Sequence, residues 1–282
     1  MIDYWQLLLL GAIAGFTIFL GLPIAVLQHL SAKKKGFLNA FALGILVFLI
    51  IDVFSHGYET ASSATTDAFS GKGPIGDAVV DLAAMFGGIA IGLLGLVLYE
   101  TKLMTKGFPQ ILSVENLKEG DDHLHRLFHD ASAYKLAMMI AIGIGAHNFS
   151  EGLAIGQSYV AGQIGLAIIL IIGFGAHNTT EGFGIAGPLT GILNKPNAKF
   201  LAKVGLIGGG PTFVGTMLGS LWISNVAYIL FLSMAGGALI YVSMLMYNSG
   251  RKQTTNDVLM IGIFFGLCAG FVTDLIVTLG GA

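Results

Sequence analysis

Two copies of one polar motif contain the residues of this 282-residue chain that are best suited to chemistry. The copies begin thirty positions apart, and each reads Gly-Ala-His-Asn-x-x-Glu-Gly. On a helix, residues four apart share a face, so each histidine lies one turn from the glutamate of its own copy, and the asparagine borders that face. Imidazole, carboxylate and amide oxygen together suit a divalent cation of intermediate hardness. We therefore predict a metal site built from His147, Asn148, Glu151, His177, Asn178 and Glu181.

The elements that must position these residues are membrane helices. The chain is 55% hydrophobic and only 11% charged, whereas a soluble domain carries about 25% charged residues. Apolar runs of about 20 residues, the length that a bilayer core demands, recur along the whole sequence. The single cysteine, Cys268, excludes a disulfide framework and a thiolate metal cluster, and no basic patch indicates nucleic acid. We expect a multi-pass protein of the cell membrane, in contact with the lipid bilayer, whose N-terminal apolar run is a retained helix.

We predict an all-α integral membrane fold in which residues 1–282 form a single domain of eight transmembrane helices. Thirteen of the 14 basic residues fall in or beside the odd-numbered connections, and only Lys72 falls opposite. By the positive-inside rule those connections are cytoplasmic, and both termini lie outside. The spans are expected at about 4–29, 37–58, 77–101, 132–157, 162–188, 199–220, 225–248 and 256–280, with a cytoplasmic loop over 102–131.

The two motif copies fall on spans four and five, which are consecutive and therefore antiparallel. Each histidine lies about 15 residues, or roughly 22 Å, from the start of its span, so both are expected near mid-depth. The copies would then be related by a pseudo-two-fold axis in the membrane plane, with the metal site between the two helices. Inverted repeats around a midplane site are typical of secondary transporters.

Buried charge supports a ligand at this depth. One charged side chain at the bilayer centre costs at least ~2.5–3.5 kcal/mol. Two glutamates at one level would also repel each other unless a cation or a proton lay between them. The competing interpretation is a packing network in which His–Glu pairs hold two helices together without any ligand.

The doubled His-Asn-x-x-Glu-Gly motif resembles that of the ZIP (Zrt-, Irt-like protein) family of divalent-metal transporters. The resemblance extends over nearly the whole chain, through eight spans, outer termini and the long loop between spans three and four. It implies that Zn²⁺, and often Fe²⁺, Mn²⁺, Co²⁺ or Cd²⁺, is carried as substrate toward the cytoplasm. It also implies an elevator-like movement of one helix group against another, and it places the family's ligands on the six motif residues.

The chain departs from the family pattern at two places. Ser150 and Thr180 replace the proline that many members have before each glutamate, so milder kinks are expected. Span six reads Gly208-Gly-Gly-Pro211 where many members carry Glu-Pro, so one carboxylate is missing. We expect one well-formed metal site, and a broken helix or hinge at Pro211.

Two further polar clusters are candidate metal-binding groups. The first shares one face of span two near its outer end, where it would form an entrance or supply auxiliary ligands, although two of its members also fit a simple membrane interface. The second is a run of histidines among acids in the cytoplasmic loop, which fits weak binding of released metal and equally the start of a solvated amphipathic helix. The first comprises Asp52, His56 and Glu59, and the second comprises His123, His125 and His129.

The sequence favours a carrier for divalent transition metals and leaves two alternatives open. An intramembrane zinc-dependent hydrolase would also place histidines and acids at membrane depth, but the chain lacks His-Glu-x-x-His and a distinct acid and base. A metal-gated channel would differ from a carrier in its rate of flux. No nucleotide-binding motif is present, so we expect transport that depends on ion gradients or facilitated diffusion and no enzymatic activity. A homodimer is also left open.

Overall fold

The computed structural model describes residues 4–26, 31–104, 122–160, 175, 177–192, 194–221 and 224–279, and in these residues it contains helices and no strands. Turns of 3-10 helix cover Leu22–Val26 and Gly187–Gly191, and a π-helical turn covers Tyr99–Met104. The α-helices are α1 (Tyr4–Phe16), α2 (Ile18–Gly21), α3 (Ala32–Phe69), α4 (Ile75–Leu98), α5 (Asp122–Val160), α6 (177–186), α7 (Ala198–Gly219), α8 (Asn225–Gln253) and α9 (Asn256–Leu279).

Seven described helical segments are long and apolar enough to cross a membrane. Large apolar side chains cover their outer surfaces, as Trp5 (82% exposed), Phe86 (65%) and Phe264 (57%) show, and such an exterior suits acyl chains. Most of the predicted fifth span lies outside the described residues, so a total of eight stays a prediction. The seven segments are Tyr4–Val26, Lys33–Phe69, Ile75–Lys102, Asp130–Val160, Ala198–Gly219, Asn225–Lys252 and Asn256–Leu275.

Two helices extend well beyond the spans expected from hydropathy. The helix α3 begins after Ser31, whose hydroxyl accepts a hydrogen bond from the Lys34 amide, and it continues to Phe69. Its polar last turns remain helical while their hydroxyls bond to the carbonyls one turn back, as Thr66 does to Ser62. The helix α5 begins at Asp122, so residues 122–131, expected in the cytoplasmic loop, are helical. Hydropathy detects the apolar part of a helix and not its polar extensions.

Glycines allow several helix pairs to approach to backbone contact. A Cβ atom built on Gly92 of α4 would lie 1.9 Å from the Met234 carbonyl oxygen of α8. A Cβ atom on Gly266 of α9 would lie 2.0 Å from the Phe41 carbonyl oxygen of α3. No side chain fits at such positions, and the resulting large backbone contact is what holds membrane helices together in the absence of a hydrophobic force between them.

These close approaches divide the described helices into two groups. In one, α5 and α7 meet at Gly152, α7 and α1 meet at Gly209 and Gly15, and α6 and α2 meet at Gly182. In the other, α3 meets α9 and α4 meets α8. Every described glycine whose Cβ would lie within 2.5 Å of a carbonyl oxygen of another helix has its partner in its own group. We call α1, α2, α5, α6 and α7 the motif group, and α3, α4, α8 and α9 the frame group.

Contact between the two groups is made through side chains. A Cβ atom on Gly143 of α5 would lie 3.4 Å from the Ala238 Cβ of α8, which is an ordinary van der Waals distance. Gly184 of α6 lies similarly against Leu46 of α3, at 3.5 Å. Among the described glycines, the backbone-to-backbone approach seen within each group is thus not found between the groups.

The helix directions bring most basic residues to one end of the bundle, which we call the basic end. There the Lys135 ammonium of α5 lies 2.8 Å from the Glu100 carboxylate that follows α4. The Tyr134 ring of α5 lies 4.7 Å from the Phe200 ring near the start of α7. The described basic residues of this end are Lys33, Lys34, Lys35, Lys102, Lys135, Lys195, Lys199, Lys203, Arg251 and Lys252.

A pair of glycines on α4 tests the role of these close contacts. Gly92→Ala should destabilise the protein by about 1–3 kcal/mol, because the new methyl group collides with the α8 backbone. Gly95→Ala is the matched control, since a Cβ atom there meets nothing within 4 Å and should leave the melting temperature unchanged or higher. Thermal unfolding of both variants in detergent measures the difference. Equal melting temperatures would contradict the packing described.

Candidate metal centre

The two motif copies meet inside the motif group. The Nε2 atom of His147 lies 3.3 Å from Oε1 of Glu151 and 3.7 Å from Oε1 of Glu181. The Nε2 atom of His177 lies 4.0 Å and 3.6 Å from the same two oxygens. A tetrahedral zinc site with bond lengths of ~2.0 Å separates neighbouring ligand atoms by about 3.3 Å. The donor atoms of His147, Glu151 and His177 all lie within 4.8 Å of one another, so these three residues could hold one metal ion. Glu181 adds a carboxylate oxygen within 3.7 Å of both imidazoles.

All six motif residues are buried, and the exposed fraction of their surfaces does not exceed 7%. Each also has a polar side-chain atom without a hydrogen-bond partner, although leaving a buried polar atom unpaired costs about 1–3 kcal/mol. Buried atoms that can bind a cation but form no hydrogen bond fit a metal site better than a packing network, in which these side chains would hydrogen-bond to one another. These atoms are Nε2 of His147 and His177, Oε1 of Glu181, Oε2 of Glu151, and Oδ1 of Asn148 and Asn178.

Backbone carbonyls orient the two asparagines. The Asn148 amide nitrogen donates to the Gly208 carbonyl of α7 at 3.0 Å and to Oε2 of Glu181 at 2.8 Å. The Asn178 amide nitrogen donates to the Ala14 carbonyl of α1 at 2.7 Å. Because a carbonyl only accepts, the nitrogen must face it, and Oδ1 is left as a potential ligand. Asn148 also holds the Glu181 carboxylate in place.

Helix α7 supports the cluster from behind, but not through the broken helix expected at Pro211. The helix is not broken there, since α7 runs without interruption from Ala198 to Gly219, and a hinge at this position stays a prediction. Pro211 cannot donate to the Ile207 carbonyl one turn back, and this carbonyl lies against Gly145 of α5, 2.3 Å from a Cβ built there. The carbonyl that lacks its helical donor is thus covered by the close packing of α5.

The hydroxyl residues before the two glutamates bond to their own helices. Thr180 donates to the His177 carbonyl at 2.7 Å, and Ser150 lies 3.5 Å from the Ala146 carbonyl. Both α5 and α6 are helical through these positions. Both hydroxyls therefore use their hydrogen within their own helix.

Comparison with known families identifies the chain. The sequence profile described as ZIP Zinc transporter matches residues 110–276, which is more than half of the chain. The protein belongs to the ZIP zinc transporter family. Membership supports divalent-metal transport by a multi-pass membrane protein and not enzymatic activity. No curated protein matches the chain.

The polar residues expected on span two lie outside the central cluster of this ZIP protein. Asp52 belongs to the frame group, interacts electrostatically with both cluster histidines and has a side chain 14% exposed. His56, 53% exposed, has its Nδ1 atom 3.4 Å from Oδ1 of Asp52. Glu59 is exposed one turn further on and lines a separate cavity of about 470 Å³ with Asp67 and Asp81. The structure thus brings Asp52 and His56 together and separates Glu59 from them.

The side chains of His123, His125 and His129 lie outside the described part of the ZIP chain, so the loop site stays a prediction. The structure also adds contacts that the motif does not indicate. The Phe48 ring of the frame group lies 5.8 Å from the His177 imidazole, edge to face. The carbonyls that orient the asparagines were likewise missed, because backbone acceptors have no signature in a sequence.

The contact made by Asn148 can be tested by an isosteric substitution. Asn148→Leu should weaken Zn²⁺ binding about 10- to 100-fold, because Glu181 loses the donor that orients it and the site loses the Oδ1 oxygen, while all histidines and carboxylates remain. Thr180→Val is the matched control, since that hydroxyl bonds only to its own helix, and its affinity should be unchanged. Calorimetric titration of the purified proteins measures the effect, and equal affinities would contradict the role given to Asn148.

Proposed function

We propose that this ZIP protein carries Zn²⁺ toward the cytoplasm through the motif cluster. The observation that carries the proposal is that both imidazole nitrogens lie 3.3–4.0 Å from both glutamate oxygens, and that the donor atoms of His147, Glu151 and His177 lie close enough together to hold one ion. The two glutamates supply two negative charges, which neutralise one divalent ion, and the asparagine oxygens are further ligands or steps along the path. The proposed ligands are His147, Asn148, Glu151, His177, Asn178 and Glu181.

The ligand set defines the class of ion. Imidazole and carboxylate together suit Zn²⁺, Fe²⁺, Mn²⁺, Co²⁺ and Cd²⁺, whereas the absence of thiolate from the sequence motif disfavours selection of the softest ions. Two imidazole nitrogens and a carboxylate oxygen lie within 4.8 Å of one another, and this set of donors is typical of zinc sites. Zinc is accordingly the proposed substrate, with the other ions as competitors.

The division into two helix groups supports an elevator-like mechanism. All six proposed ligands lie on α5 and α6, and their two backbone anchors, Gly208 and Ala14, lie on α7 and α1. The whole site therefore belongs to the motif group. Backbone contacts at glycine hold this group together, while side chains alone separate it from the frame group. Such a group can move as a unit without disturbing the coordination geometry.

The surroundings of the cluster differ toward its two ends, as alternating access requires. Away from the basic end, the exposed His56 and the partly buried Asp52 offer a polar approach. Toward the basic end, Leu46, Ile144 and Leu239 are fully buried in one apolar core that separates the cluster from the cavities there. If the basic end is cytoplasmic, this conformation gives access from outside and is closed to the cytoplasm.

Uptake into proteoliposomes tests the proposed function. The wild type should show saturable Zn²⁺ uptake, and Glu181→Gln should reduce it to background, because the site loses one of its two charges without a change in shape. Asp257→Asn, at an exposed acid of the basic end, is the control and should transport normally. Uptake by the Glu181→Gln protein at the wild-type rate, with unchanged thermal unfolding, would disprove the role of the cluster, and rates that never saturate would indicate a channel.

Cross-linking tests the relative movement of the two groups. In a Cys268→Ser background, Gly143→Cys with Ala238→Cys joins α5 to α8 across the group boundary, where the Cβ atoms are 3.4 Å apart. Oxidation should arrest Zn²⁺ uptake, and a reductant should restore it. Gly57→Cys with Leu232→Cys, at 3.9 Å within the frame group, is the matched control and should stay active when oxidised. Full uptake by the first oxidised pair would exclude the movement.

A further inference from the structure

A cavity of about 240 Å³ lies at the basic end, where α5 of the motif group faces α4 and α8 of the frame group. The cavity lies about two helical turns from the metal cluster, because Met139 in its lining precedes His147 on α5 by about 12 Å. The apolar core around Ile144 separates the two. The polar residues that line the cavity are Asn39, Glu100, Ser132, Lys135 and Ser249.

The cavity contains one carboxylate, and the motif group supplies its counter-charge. The Lys135 ammonium lies 2.8 Å from Oε1 of Glu100, and the Tyr241 hydroxyl of α8 donates to Oε2. Both charged side chains are only 22% exposed. Tyr241 and Glu100 belong to the frame group, whereas Lys135 belongs to α5. A movement of the motif group along its boundary would therefore separate the ammonium from the carboxylate.

An unpartnered amide oxygen adds a second potential ligand to this cavity. Asn39 of α3 is only 8% exposed, lines the cavity, and its Oδ1 atom has no hydrogen-bond partner in the described structure. The carboxylate of Glu100, the amide oxygen of Asn39 and the hydroxyl of Ser132 thus line one cavity, which offers oxygen donors and no imidazole. Such a set binds Zn²⁺ more weakly than a histidine-containing cluster does, which is a property that favours release.

We propose that this cavity is a release site for the transported divalent cation, and that Lys135 is its tethered counter-ion. In the present conformation the ammonium neutralises Glu100. When the motif group carries its ion toward the basic end, Lys135 withdraws, and Glu100 with Oδ1 of Asn39 receives the ion. The exchange of one cation for another keeps the half-buried carboxylate neutralised throughout. The proposal rests on the proposed transport function and extends it to the last step of the path.

Turnover of variants separates a release site from a simple structural ion pair. Glu100→Gln keeps the size of the side chain, and it should lower kcat for Zn²⁺ uptake about tenfold while KM for external Zn²⁺ stays unchanged. The charge swap of Glu100→Lys with Lys135→Glu restores an ion pair but leaves no acid on the frame group, so its kcat should stay low. Wild-type kcat in the swap variant would reduce the pair to a structural contact and overturn the proposal, as would wild-type kcat in Glu100→Gln.

Direct binding provides a second measurement that does not depend on turnover. In a Glu181→Gln background, in which the central cluster is disabled, Lys135→Met should expose a weak Zn²⁺ site in the full-length protein, and adding Glu100→Gln should abolish it. Calorimetric titration with Zn²⁺ alone measures both. No binding by the Lys135→Met protein, with normal thermal unfolding, would overturn the release site while leaving the central transport site intact. Failure of the proposed function itself would appear instead as a lack of uptake by the wild type.

Discussion

Two carboxylates buried at one point inside a membrane protein are the constraint on which the rest of the structure depends. Glu151 and Glu181 are at most 7% exposed and face the same two imidazoles. Both are buried from solvent, and no described lysine or arginine forms an ion pair with them. A cation or protons must therefore balance their charge. The asparagine anchors and the glycine contacts with α7 keep the two acids at this spacing against their mutual repulsion.

Glycine contacts explain how the metal cluster can be held rigidly while the helix group that carries it moves, as we propose. Within each helix group, backbones touch at positions where no side chain fits, so the six proposed ligands and their carbonyl anchors form one body. The glycines of α5 and α6 that face the other group meet side chains such as Leu46 and Ala238 and not backbone. One type of residue thus fixes the coordination geometry and marks the boundary along which we propose that it moves.

The sequence predicted the helical membrane class, the family and the pairing of the two motif copies, because apolar runs and i, i+4 spacing follow directly from helix geometry. It did not predict features that depend on a partner helix. Pro211 indicates a broken helix, whereas α7 is continuous and packs on Gly145 of α5. The contact between Glu100 and Lys135 joins residues from different helix groups, and the place of Glu100 at the end of a predicted span does not indicate it. Asn148 is predicted as a ligand from the motif, but its carbonyl anchor carries no sequence signal.

The missing acid in α7 has an electrical consequence. Where a third carboxylate would give the loaded site a net negative charge, the residue before Pro211 is Gly210, which has no side chain to carry one. With a divalent ion and neutral imidazoles, the two glutamates of the proposed site form an assembly without net charge, on which the membrane potential exerts no net force. The unloaded site carries two negative charges unless it takes up protons, and each charge that crosses the whole membrane involves ~2.3 kcal/mol per 100 mV. In the proposed transport cycle, voltage therefore acts on the return of the empty carrier and not on the delivery of its ion.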